Sequence, residues 1–238
     1  MSLEQEENFA AFRERKSQIE KDIVRTDRAH EFYSGDENTN IMLLQDILMT
    51  YTMFNFDFGY IQGMSDMLSP ILYVTKNEVD AFWCFVGLMQ KIEKYFDFDN
   101  GGMKKQLVLL RDLLKTVDPE LYSYLISKDC DSFLFCFRWL LLSFKREFNY
   151  EDILRLWEVL WAETPCKNFQ LLVGVTMLHM ERSVIMENNF GFPEILKHMN
   201  DKSQVFELSK ILEFSESLFK KLESLGFVND KIRDLLLL

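Results

Sequence analysis

The sequence predicts an all-α fold, and three observations carry that prediction. Breakers are scarce, with only 9 Gly and 4 Pro in 238 residues. Long and aromatic side chains are abundant, with 22 Phe and 12 Met in a chain that is 48% hydrophobic. Apolar residues recur at three- and four-residue spacing along much of the chain, and no stretch alternates convincingly as a strand would. The length suits one large domain or two intimate lobes. A division between lobes is expected near residues 118–131. No period of 30 to 45 residues is present, which argues against a regular helical solenoid.

The elements follow in order. The first 18 residues are charged and poor in apolar side chains. Residues 41–56, IMLLQDILMTYTMFNF, read as an apolar-rich helix. A turn is expected at Asp57-Phe58-Gly59, then a helix from about Tyr60 to Val74. Asn77 with Asp80 has the spacing of a capping box at the start of EVDAFWCFVGLMQKIEKYF. Asn100-Gly101-Gly102 breaks the chain. Leu107, Leu110, Leu113, Leu114 and Val117 then fall on one helical face. Asp118-Pro119 reads as an N-cap with proline at the first helical position. Phe133, Phe137, Leu140, Leu141 and Phe144 repeat the helical period. With Leu134, Phe135 and Trp139 on the other side, this helix is expected to be buried all round. Asn149 and Asp152 suggest another cap, before a stripe of Ile153, Leu156, Trp157, Leu160 and Trp161. Further helices are expected near 167–188, 192–199 and 205–225.

Composition excludes several classes of function. A formal net charge of −11 repels phosphate backbones and anionic lipid, so nucleic acid is not expected as a partner. Cys84, Cys130, Cys136 and Cys166 form no CxxC pair and have no nearby histidine. They read as reduced thiols, mostly core, of a cytosolic protein, with no metal site. His179 lies in an apolar helical run and reads as a packed core residue. No signal peptide is expected, and no apolar run approaches the ~20 residues of a bilayer span. The longest, around Phe133 to Phe144, is interrupted by Arg138. Direct membrane insertion is therefore not expected.

Two short motifs remain. The first is Ile19-Glu-Lys-Asp22-Ile-Val-Arg25, and the second is Gly59-Tyr60-Ile-Gln62-Gly63-Met64. By default Arg25 is a solvated charge or half of a weak ion pair. Asp22, three residues earlier, could hold its guanidinium on a helical turn. By default Gln62 is a turn or helix-start residue, although the flanking glycines permit close backbone approach. Tyr60 could pack its ring and present its hydroxyl. The clusters FLFCFRWLL and RLWEVLW read as core, and Arg138, Lys145 and Arg155 as structural ion-pair members ahead of partner contacts. Nothing resembles GxxxxGK[ST], GxGxxG, HExxH or GxSxG, so the chain has no phosphate-binding loop of its own. Yet an arginine and a glutamine are the two side chains a slow GTPase needs, one to neutralise charge and one to orient water. That pairing suits a protein that completes another protein's active site.

IxxDxxR, then YxQ in GYIQGMSDMLSPI, then FRWLLLSFKREF and RLWEVLW, in this order over roughly residues 19 to 200, closely resemble the TBC domain. This is the GTPase-activating module for Rab-family small GTPases. EVDAFWCF, KREF and EILKH look most like the animal subgroup of members fifteen and seventeen. The resemblance implies one all-α, V-shaped domain over 1–238, built from two closely packed helical lobes. The N-terminal lobe, about 1–125, would carry the catalytic groove, and the C-terminal lobe would span about 126–238. It further implies that Arg25 is an arginine finger and Gln62 a glutamine finger, supported by Asp22 and Tyr60. The implied partner is a Rab-family GTPase in its GTP-bound state. That partner would supply GTP and Mg²⁺, so no cofactor of this chain's own is expected. The implied localisation is cytoplasmic, with peripheral recruitment to endomembranes. An RxxxW motif usual upstream of IxxDxxR has no counterpart here. Either an upstream segment is missing or the N-terminal lobe is built differently. A non-catalytic scaffold that binds a Rab or an adaptor is the competing function. An unrelated helical interaction protein is a third reading, resting only on composition.

Overall fold

The computed structural model describes residues 3–96, 101–226 and 230–236. All regular structure among them is helical, in two compact units, Met1–Phe96 and Asp97–Leu238. The boundary lies upstream of the division expected near 118–131. The reason is packing: the helix Gly102–Val117 (α5) packs on elements of the second unit.

The first unit contains four helices: α1 (Leu3–Ile23), α2 (Thr39–Phe54), α3 (Met64–Thr75) and α4 (Glu78–Phe96). α2 packs against α1, α3 and α4. Its inward face is Leu44, Ile47, Leu48 and Tyr51, spaced as one helical stripe. Asn38 caps it, accepting hydrogen bonds from the amides of Asn40 and Ile41. The expected cap at Asn77 is present, its side chain accepting the Asp80 N–H at 3.0 Å. α3 begins at Met64, four residues later than expected. Gly59 at φ +71° and Gly63 at φ +102° lie in the left-handed region, so no helix can run through 59–63.

The second unit packs around α9 (Phe169–Met180), whose residues Leu171 to Leu178 are all buried. α9 touches α5, α7 (Phe137–Leu141), α10 (Arg182–Glu187) and α12 (Leu208–Ser224). A helix apolar on nearly every side is stable only inside a core. Gly174 lets α5 approach: a Cβ there would lie 3.1 Å from Leu110 Cδ1. The remaining helices are α6 (Pro119–Ser127), α8 (Tyr150–Trp161), α11 (Phe192–Asp201) and α13 (Asp230–Leu236). The caps expected at Asp118 and Asn149 are both made, to the amides of Leu121 and Asp152. Of the expected break at 100–102, Asn100 lies outside the described residues, and Gly101 precedes α5 at φ +66°.

Two further expectations are corrected. Residues 133–144 are not one helix. Leu134–Cys136 form a 3₁₀ turn, α7 lasts five residues, and Phe133, Ser143 and Phe144 adopt positive φ. Nor is the segment buried all round, since Leu134 is 53% exposed. The turns after α7 let Glu147 fold back and take a two-pronged ion pair from Arg138, at 2.8 and 2.9 Å. His179 is not fully buried either. Its Nδ1 lies 2.7 Å from Asp118 Oδ2, joining α9 to the cap of α6. Among the described residues no helix is long and apolar enough to cross a membrane.

Candidate functional site

All four residues singled out in the sequence lie in the first unit. Asp22 occupies the last turn of α1 and is almost fully buried. The chain then tightens: the Arg25 N–H bonds the Asp22 carbonyl at 3.1 Å, and Thr26 N–H bonds Ile23 at 3.3 Å. Thr26 Oγ1 donates to the Asp22 carbonyl at 2.8 Å and lies 3.0 Å from Ser65 Oγ in the first turn of α3. This buried hydroxyl pair joins the end of α1 to the start of α3.

The Asp22 carboxylate is shared. One oxygen accepts from Arg25 Nη2 at 2.5 Å, and the other accepts from the Tyr60 hydroxyl at 2.6 Å. Tyr60 is itself buried, and burial, reinforced by its hydrogen bond to Asp22, drives its hydroxyl pKa strongly upward. It therefore remains a proton donor at any physiological pH. The Arg25 side chain is 57% exposed while Asp22 is 7% exposed. With the arginine in solvent, the pair gains only modest Coulomb energy. What it does contribute is a tether, because the charged hydrogen bond anchors one nitrogen of the guanidinium to a buried carboxylate.

Gln62 follows Tyr60 by two residues and is exposed. Its segment is held on both sides. Ile61 N–H points at Met64 Sδ at 3.3 Å, and Gly63 turns the chain into α3. Asp22, Arg25 and Tyr60 are thus brought together by direct hydrogen bonds. Gln62 is tied to them only through the backbone.

Sequence reasoning missed Arg15, Thr26 and Ser65. Arg15 Nη1 donates to the Phe56 carbonyl at 2.5 Å, and its Cζ lies 4.6 Å from the Phe56 ring centroid. The same guanidinium covers Gly59, where a Cβ would lie 2.4 Å from Arg15 Cζ. Arg15 so fastens the 56–59 turn to α1. In the sequence it is one arginine of a charged run, and nothing local marks it. Gly59→Ala is expected to cost about 1–2 kcal/mol of stability, mainly because a side chain disfavours this backbone conformation. Arg15, being flexible, can move aside. Chemical denaturation checks this, and an unchanged midpoint and slope would show that the turn tolerates a Cβ.

The Rab-GTPase-TBC domain model matches residues 1–186. The chain is 47% identical to TBC1 domain family member 17 of Homo sapiens, over 99% of this chain and 36% of that protein. It is 38% identical to GTPase-activating protein GYP7 of Yarrowia lipolytica, over 91% of this chain and 33% of that protein. The chain therefore spans about a third of the length of these curated relatives. Among solved structures it resembles the Ypt/Rab-GAP domain of Gyp1p, with a TM-score of 0.75 and 22% identity, covering 92% of this chain and 79% of that one. It also resembles the Chlamydomonas flagellar RabGAP TBC domain, with a TM-score of 0.70 and 21% identity, covering 87% and 70%. At these identities the solved structures speak to the fold, and they support the all-α architecture. The match of the family model over most of the chain places this protein in the Rab-GTPase-TBC domain family.

Proposed function

We propose that this chain accelerates GTP hydrolysis by a Rab-family small GTPase in its GTP-bound state. Arg25 and Gln62 are supplied in trans to the partner's active site. The observation that carries the reading is the Asp22 carboxylate shared by Arg25 and Tyr60. It links the IxxDxxR and YxQ motifs in one hydrogen-bonded unit and leaves the Arg25 side chain largely exposed, as a finger must be.

In this reading Arg25 brings fixed positive charge to the β/γ-phosphate oxygens as negative charge shifts between them. Gln62 carries both an acceptor oxygen and donor hydrogens, and so can orient an attacking water. Asp22 and Tyr60 position Arg25. GTP and Mg²⁺ belong to the partner, so the chain needs no phosphate loop or cofactor. The setting would be cytoplasmic, with peripheral recruitment to endomembranes. The competing reading, a non-catalytic scaffold, needs neither an exposed arginine nor a carboxylate to orient it.

The test is phosphate release from a panel of GTP-loaded Rab GTPases, with and without this protein. At least one member is expected to be strongly stimulated. A second measurement addresses mechanism. Groups that meet charge developing in the transition state bind that state more tightly than the ground state. Gel filtration should therefore give a stable complex with GDP plus aluminium fluoride and a much weaker one with GDP alone. Equal affinity for both forms would favour the scaffold.

A further inference from the structure

Phe54, Phe82 and Trp83 form an aromatic cluster on the surface of the first unit. Phe54 ends α2, and the other two lie in the first half of α4. The rings meet edge to face, with centroids 5.6 Å apart for Phe54 and Phe82, 5.8 Å for Phe54 and Trp83, and 5.1 Å for Phe82 and Trp83. Phe54 is 57% exposed and Trp83 56%, and Met53, beside Phe54, and Val79, one helical turn before Phe82 and Trp83, are exposed as well. A single exposed aromatic needs no explanation. Mutually packed rings that remain open to water are different, because their geometry is fixed before any partner arrives. Such preformed aromatic anchors are the residues that dominate binding energy at protein interfaces.

We infer that this cluster docks the same GTPase that the finger segment serves. The inference rests on the proposed function above. Its basis is continuity with that segment. α2 ends at Phe54, and the Gly59 N–H bonds the Asn55 carbonyl at 2.8 Å, closing the chain into one turn. One Cα step, that turn, and three more steps to Gln62 put the Cα atoms of Phe54 and Gln62 at most about 21 Å apart. A standard interface covers about 800 Å² on each partner, a patch roughly 32 Å across. A footprint of that width that includes Gln62 is wide enough to include Phe54 as well. An anionic membrane is the poorer occupant, given the chain's net charge of −11.

The role is docking, so the readout must separate binding from chemistry. In single-turnover hydrolysis with a responsive Rab, Phe54→Ala combined with Trp83→Ala should raise the half-saturating concentration roughly 10- to 100-fold, as expected for truncating interface anchors. The maximal rate should stay within about twofold, because neither side chain meets the phosphates. Direct binding supplies the second arm. Cys84 is exposed and adjoins Trp83, whereas the other three cysteines are buried, so a thiol-reactive environment-sensitive dye reports from the cluster. Dye attached there should respond to a GTP-loaded Rab and to the aluminium-fluoride complex.

The outcomes are distinguishable. Binding that moves the dye without stimulated hydrolysis would overturn the finger mechanism and leave the docking surface standing. Stimulated hydrolysis with a silent dye and an unchanged half-saturating concentration in the double variant would overturn the docking surface alone. A double variant that turns a self-associating protein into a monomer, with unaltered Rab kinetics, would make a second copy of this chain the occupant and overturn the inference. Failure of every Rab to bind would remove both readings.

Discussion

Arg25→Ala should abolish stimulated hydrolysis while leaving the fold intact. For the Ras system an arginine finger is worth about 10³ to 10⁵ in rate, so the expected loss is ~4 to 7 kcal/mol of transition-state stabilisation. The structural cost should be small by comparison. The Arg25 side chain is 57% exposed, so its removal opens no cavity in the core. Asp22 also retains the Tyr60 hydroxyl as a donor. Arg25→Lys should rescue poorly, since an ammonium lacks the planar fork that can meet Asp22 and a phosphate oxygen together. The measurement is single-turnover phosphate release at saturating activator, with a melting curve for each variant. Most of the activity surviving in a folded Arg25→Ala protein would end the assignment.

Gln62→Ala should cut stimulation severely, on the order of 10²-fold or more, the scale of a positioned group that handles the attacking water. In Ras activation the GTPase's own glutamine orients the water and the activator supplies only arginine. If Gln62 takes over that role, a Rab whose catalytic glutamine is replaced by leucine should remain partly responsive to this protein. The four combinations of wild-type and variant activator with wild-type and variant Rab decide the matter. If Gln62 merely shapes the turn before α3, Gln62→Ala will shift melting slightly and leave hydrolysis unchanged. Its side chain is exposed, so a large loss of rate could not be ascribed to lost packing.

The legible parts of this fold are those written in local chemistry. Asn77, Asp118 and Asn149 cap their helices through side chains that reach an amide three residues on, a distance fixed by the helix itself. The stripe from Leu107 to Leu114 is visible because polar residues interrupt it. Residues 133–144 were opaque for the opposite reason. With apolar side chains at nearly every position, periodicity cannot show that the chain breaks at Phe133, Ser143 and Phe144, whose positive φ no side chain advertises. α3 starts later than the sequence suggests because a second left-handed glycine, Gly63, follows the expected turn at Gly59, and no periodicity marks it. At the candidate site the motifs pointed to Asp22, Arg25, Tyr60 and Gln62, and the spacing of Asp22 to Arg25 foretold their contact. Arg15 on Gly59, and Thr26 beside Ser65, join residues about 40 positions apart. Only the packing of α1 against α2 and α3 creates those pairs.

One carboxylate with both oxygens engaged has a consequence for how this sequence can drift. Losing Asp22 alone would take the charged acceptor from the buried Tyr60 hydroxyl, and a hydrogen bond to a charged group is worth about 1.5–3 kcal/mol. Tyr60→Phe alone would remove one of the two hydrogen-bond donors to a carboxylate held away from water. Neither residue can change by an isolated step without a penalty that falls on the other. The two residues are 38 positions apart in the chain, yet a change at either one falls on both.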